Sequence, residues 1–470
     1  MKAKFLVLVL FYSLIFSNKG KSFTISTTTT WTSNQTFTGD LIIASGASLT
    51  LSGPFIQTIK QNIIIQSNAS LIVDGVSLNM NWSAGPQDGM GKYPDGSIVV
   101  LASHTTDATP GGRLYLKNNA EITGDFSATG SSPTRDLSFP GWYGIFVEGI
   151  PTNVQSLKFG QAILKNSIIS NSTFGVSNFN YQNEPNLNYS QGFINAVKST
   201  GGIINATGMT FEDNVVDVNM VNYGAGAPFY GPETSIFVNC TFNGSGVGIK
   251  AWGNLYGTNN NFPVNYLSQV YLQKVHGVRL LGCTFQSAYA ELYAVNASDA
   301  GFTIDQYCSR YSIFTSACTG TSYASSIPGS YFDGAVVVNN TGNFNPVVIQ
   351  NTTFTNTIFP IVLSGCYAPV IQNNTIPVQY QNFDLYNIGI ALIGCTDYTL
   401  QNNSLSAAGT NYYSVPFPLT GIGIENSGAN YNLVNNNICS GMDVGIQVLG
   451  NNWNGDIFHP NLATGLTLYC

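Results

Sequence analysis

Glu212, Asp213 and Asp217 form the clearest acidic cluster in this sequence. Breaking a glycosidic bond needs two carboxyl groups at a fixed separation, one to give a proton and one to act as base or nucleophile. Asp213 and Asp217 fit one face of a coil and are the candidate pair. A solvated strand edge accounts for them equally well, and that reading takes precedence here.

Asp88-Gly89-Met90-Gly91 and Asp95-Gly96 hint at a calcium loop, which makes Asp88 and Asp95 the candidate ligands and calcium the one candidate cofactor. The EF-hand spacing and its closing Glu are absent, so a Gly-rich surface loop is the simpler account. His104, His276 and His459 stand far apart, against a three-His metal site. Tyr230, Trp252, Tyr256 and Tyr266 concentrate aromatic rings in one region. Such rings stack on sugar faces, and they also pack loops against a wall. Asn-X-Ser/Thr triplets recur, as at Asn34, Asn171 and Asn239, and follow from the corner pattern described next.

These residues have to be placed by a repeating scaffold. Leu41-Ile42-Ile43 to Gly53 aligns without a gap to Ile63-Ile64-Ile65 to Gly75, an offset of 22 residues. The same offset relates Val348-Ile349-Gln350-Asn351 to Val370-Ile371-Gln372-Asn373, and Gly423-Ile424 to Gly445-Ile446. A fixed period built from short strand-like runs marks a stacked solenoid. Strands of successive coils then pair at about 4.8 Å, with right-handed crossovers. The expected fold is all-β, a single-stranded right-handed parallel β-helix.

Asn351, Asn373, Asn402 and Asn435 occupy the polar break between strands. Asn tolerates the left-handed backbone of a sharp corner, and stacked amides can bond from coil to coil. An Asn ladder is therefore expected at these four positions. Three stretches break the rhythm and are expected as loops outside the core: 85–111, 178–191 and 298–328.

Lys2 and Lys4 precede an apolar run from Phe5 to Phe16, the pattern of an export signal over residues 1–22. The run is short for a membrane span, and no later segment supplies 18 consecutive apolar residues. A soluble exported monomer is expected, with the β-helix over 23–470. The formal net charge is −7 and charged residues are only 8%. Basic residues are scattered singly, as at Lys60, Lys117, Lys165, Lys250 and Arg279, so nucleic-acid binding is not expected. Disorder is excluded by 25 Tyr and 28 Phe. All eight cysteines lie in the second half, without the paired spacing of a zinc site. Cys308 and Cys318 are close enough to staple a loop, and Cys366 and Cys395 close similar phrases on neighbouring coils, cross-linked or simply buried.

The phrases Ile236-Phe237-Val238-Asn239-Cys240-Thr241-Phe242 and Val278-Arg279-Leu280-Leu281-Gly282-Cys283-Thr284-Phe285 complete the pattern, with Trp142 to Val147 and the late Gly-Ile coils. Together they resemble exported β-helix proteins of the pectin-lyase-like superfamily, most of all large Bacteroidetes-type surface proteins that end in a type IX secretion sorting domain. The phrases cover nearly the whole chain after the signal, which has no such sorting segment before Cys470. The resemblance implies the fold and raises polysaccharide lyase or hydrolase activity. The Asn-Thr-Asp, Asp-Asp, Gly-His-Gly and Arg-Ile-Lys segments of polygalacturonase-like hydrolases do not occur here. His276-Gly277 with Arg279 is the nearest echo, so the resemblance makes His276 and Arg279 candidate catalytic residues, and a surface or corner role is the reading adopted. Nor is any basic residue framed by carboxylates as lyase chemistry needs. The expectation is a non-catalytic secreted or cell-surface β-helix, structural or adhesive, with polysaccharide or cell-surface glycans as candidate partners. The competing expectation is a lyase or glycoside hydrolase with an unrecognised site.

Overall fold

The computed structural model describes residues 22–59, 61–80, 96–124, 142–149, 156–179, 202–214, 216–220, 235–251, 255–262, 265–273, 278–286, 290–295, 302–315, 334–339, 346–355, 357, 359–379, 387–408, 418–427, 432–450, 457–458 and 462–464. Alternation of apolar and polar residues in short runs dictates strands with one dry face. In Leu41–Ile43, Ile63–Ile65 and Ser70–Asp74 every second side chain is buried. No single coil can bury such a face alone, so each coil stacks on the next.

The result is a parallel β-helix of three sheets, each with fifteen parallel strands among the described residues. We name them sheets A, B and C after their first strands, Phe23–Ile25, Thr29–Trp31 and Gln35–Phe37. Each coil gives one strand to each sheet in that order. Inward rows keep strict register: Leu41, Ile63, Ile98 and Ile145 are successive partners in sheet A, all fully buried. One continuous core runs the length of the stack. Ser156–Lys158 is the one helical turn among the described residues.

Sheet C carries a continuous row of large inward side chains. Phe211, Phe242, Phe262, Phe285, Phe314 and Phe354 stack in consecutive coils, with ring centroids 4.4–5.2 Å apart and planes within 16° of parallel. The coil pitch imposes that spacing, which falls in the range that aromatic pairs favour. At the first coil Trp31 and Phe37 stack at 4.9 Å, with Phe23 tilted against them at 5.5 Å from Phe37, and cover the start of the core.

Most turns from sheet B to sheet C use a residue in the left-handed region. Asn351, Asn373 and Asn402 hold it with φ of 49°, 56° and 56°, and Gly208 and Gly282 hold it elsewhere. In the turn after strand Leu433–Asn435, Asn436 has φ 53°, and Asn435 is the final residue of the strand. The ladder position expected at Asn435 therefore falls one residue later, because Asn435 pairs with Gln401 and not with Asn402. A second, buried ladder follows the corner. Asn374, Asn403 and Asn437 point inward and bond in series, Asn374 Nδ2 to Asn403 Oδ1 at 3.0 Å and Asn403 Nδ2 to Asn437 Oδ1 at 2.9 Å. The left-handed corner turns the next side chain into the core, which a reading of one Asn per corner misses.

Two expected loops contain core strands. Ser97–Val100 lies inside 85–111 and is buried throughout in sheet A. Phe302–Asp305 and Ser312–Thr315 lie inside 298–328, with Phe302, Ile304 and Phe314 buried. Their Gly-, Pro- and Ser-rich flanks masked runs of strand-forming residues. In 178–191 only Asn178 and Phe179 are described, at the end of strand Ser172–Phe179.

Candidate functional site

The three outer faces differ. Sheet C presents a largely Thr and Ser row, with Thr210 beside Thr241, Asn261 beside Thr284 and Thr353 beside Thr375 in register. Sheet A has the longest strands, and several of its outer residues are covered. Val99, Phe146, Val337 and Val362 lie between inward positions yet are at most 3% exposed. Sheet B leaves its outer rows open over much of its length.

Asp217 belongs to the covered outer row of sheet A and is fully buried. Asn214 Nδ2 donates to Asp217 Oδ1 at 2.8 Å and to the Ile169 carbonyl at 3.2 Å, while Asn214 Oδ1 accepts from the Ser172 hydroxyl at 2.6 Å. This network fastens the turn from sheet C to sheet A. Asp213 is the left-handed residue of that turn, with φ 59°, and is half-buried. The two carboxylates do not share one open face: one makes the corner and the other lies under cover. Two residues after Asp217, Asn219 is the register partner of Lys250, which is followed by Tyr271 and Tyr293.

Arg279 is exposed on sheet B, and its register partner in the previous coil is Tyr256, itself paired with Ile236. Ile236 is 39% exposed. Two residues singled out for different reasons therefore sit on adjacent strands in one row. The aromatic group does not converge as a whole, since Tyr266 lies in strand Asn265–Gln273 of sheet A. Ten residues from Tyr256 to Tyr266 carry the chain around two corners. Tyr230, Trp252, His276, Asp88, Asp95 and Cys318 lie outside the described residues, as does the Asp88-Gly89-Met90-Gly91 segment of the calcium loop. Among the described residues no group of three or more His, Cys, Asp or Glu is arranged to hold a metal ion.

Cys366 and Cys395 are buried free thiols rather than a cross-link. Both face inward just after sheet A, and their sulfurs donate to the Ser364 carbonyl at 3.5 Å and the Leu363 carbonyl at 3.4 Å. The side-chain bond with Cys366 holds the Cys395 thiol below its ordinary range. Cys308 is a free, exposed thiol.

Other charged groups serve the scaffold. Glu148 is buried and accepts from the Ala102 amide at 2.9 Å, with His104 Nε2 at 3.2 Å from its other oxygen. Asp305 accepts from Gln350 Nε2 and Asn351 Nδ2, each at 2.7 Å, and Gln372 continues the chain to Gln350 at 2.6 Å.

No family model matches the chain, and no curated protein matches it. Among solved structures it is similar to the Streptococcus pneumoniae surface adhesin PfbA, with 10% identity over 89% of this chain and 84% of that one and a TM-score of 0.37. It is also similar to a family 28 exopolygalacturonase of Yersinia enterocolitica, with 11% identity over 90% and 73% of the two chains and a TM-score of 0.24. The Agl-KA catalytic domain matches at 14% identity over 90% and 62%, with a TM-score of 0.28.

Proposed function

We propose that this chain is a secreted or cell-surface β-helix with a structural or adhesive role, and that it binds glycans along the outer face of sheet B. The observation that carries this reading is the row Ile236, Tyr256 and Arg279, three consecutive register partners. Successive rungs stand about 4.8 Å apart. An aromatic residue and an apolar one suit the C–H faces of sugars, and a guanidinium offers a planar fork of donors for their oxygens. Export rests on Lys2, Lys4 and the Phe5 to Phe16 run. Among the described residues no helix is long and apolar enough to cross a membrane. The test is binding of the purified protein to a panel of plant, algal and bacterial glycans. Tyr256→Ala and Arg279→Ala should each weaken the strongest response about tenfold or more. Unchanged binding in both variants would sink the reading.

A further inference from the structure

Lys117 and Lys165 are 48 residues apart in sequence and read as isolated charges. The β-helix makes them neighbours. Strand Arg113–Lys117 turns Leu114 and Leu116 into the core and leaves Arg113, Tyr115 and Lys117 on the outer face of sheet B. Strand Gln161–Lys165 does the same with Gln161, Ile163 and Lys165 outside. Arg113 pairs with Gln161 and Tyr115 with Ile163, and the two lysines directly follow the last paired residues, Leu116 and Leu164.

We propose that Arg113, Tyr115, Lys117 and Lys165 form a binding site for an acidic polysaccharide. This site stands in other coils than the Tyr256–Arg279 row and does not depend on it. Like charges facing each other across neighbouring strands destabilise a sheet, and a local conflict of this kind is expected where a site serves binding. Asp74 relieves only one flank. Its Oδ2 is 2.8 Å from Lys117 Nζ, and Asn118 Nδ2 donates to its Oδ1 at 2.6 Å. Those bonds, Lys117 first, hold the Asp74 carboxyl below its usual range. Among the described residues Arg113 and Lys165 have no ion pair.

The face is accessible on its downstream side. Only Asn118, Asn119 and Ala120 separate Lys117 from the next strand, and only Asn166 and Ser167 follow Lys165. Upstream the wall is rigid: a methyl group on Gly160 would meet the Val100 carbonyl oxygen at 2.4 Å. Arg113 supplies a fork for a carboxylate or sulfate. The lysines supply point charges about one rung apart, and the Tyr115 ring offers a face for a sugar. Two or three cations around one ring suit a single chain of charged sugars. A net charge of −7 and the small extent of the patch oppose a nucleic-acid backbone.

The full chain is tested with dextran sulfate, neutral dextran and single-stranded poly(dT) as probes. Dextran sulfate should bind, neutral dextran should not, and binding should fall steeply with added salt. Arg113→Ala and Lys165→Ala should each weaken it about tenfold, and the Arg113→Glu/Lys165→Glu double variant should abolish it with an unchanged circular dichroism spectrum. Asp74→Asn should strengthen it about threefold by removing a competing anion. Dextran sulfate binding that survives the double variant overturns the site, as does tighter binding to poly(dT). Should Arg279→Ala remove that binding while the Arg113 and Lys165 variants keep it, this site falls and the sheet B row stands. The opposite outcome leaves this site standing alone.

Discussion

Asn403 donates its side-chain amide to Oδ1 of Asn437 at 2.9 Å, across 34 residues of sequence and one rung of the stack. The same Asn403 accepts from Asn374 Nδ2 at 3.0 Å and from the Asn374 backbone amide at 3.2 Å, and donates to the Ile371 carbonyl at 2.9 Å. A buried carboxamide with every capacity in use is a rivet between coils.

Asn403→Ala should therefore lower stability by about 3 kcal/mol, since it strands several buried polar groups at once. Urea unfolding followed by circular dichroism measures this. A loss under about 1 kcal/mol would show that the ladder decorates the corner without holding it.

Phe285 sits between Phe262 at 5.0 Å and Phe314 at 4.4 Å. Phe285→Ala should destabilise by about 4 kcal/mol, and Phe285→Leu by about 1 kcal/mol. Because each coil contacts mainly its neighbours, hydrogen exchange should quicken first in Phe262 and Phe314 and their strands. Uniform quickening along the whole chain would contradict a one-dimensional stack.

Asn373 holds φ 56° at an exposed corner and accepts from Asn402 Nδ2 at 3.2 Å. Asn373→Gly should be close to neutral, whereas Asn373→Ala should lose about 1 kcal/mol to backbone strain. Equal thermal stability of the two variants would mean that the left-handed turn is not the reason for Asn there.

Burial lifts the thiols of Cys240, Cys283 and Cys439 from 9.0 to about 12. The unfolded thiols ionise above the lower value while the folded ones keep their protons. Their stabilising contribution is thus complete below pH 9.0 and is lost as pH rises toward about 12. Urea midpoints should fall across that window, and less so when all three are replaced by Ala. In the native protein at neutral pH, Cys308 should alkylate well before these three.

The period of Leu41 and Ile63 carried the fold, because inward apolar residues must recur once per rung for any core to form. The same logic failed over Ser97–Val100 and Phe302–Asp305, where turn-forming flanks concealed the strands. Stacked partners lie 22 residues apart at Ser48 and Ser70, 29 at Asn374 and Asn403, and 43 at Asp74 and Lys117. With corners of such unequal length, sequence distance says little about who faces whom. For this reason Tyr256 and Arg279, 23 residues apart, meet as register partners on adjacent strands. In the strand Arg113–Lys117 alternation leaves Arg113, Tyr115 and Lys117 outside. Its companion at 161–165 could be matched only once the rungs were counted.

The unequal corners also set how this molecule can change over generations. Loop growth at a bend leaves every outward column intact, so ornament and frame vary separately. Loss or gain of a complete turn, such as the stretch from Leu41 to Asn62, shortens or lengthens the rod by one step of about 4.8 Å. Any long polymer lying along the rod is thereby gauged in whole steps, and its grip strengthens by increments rather than continuously.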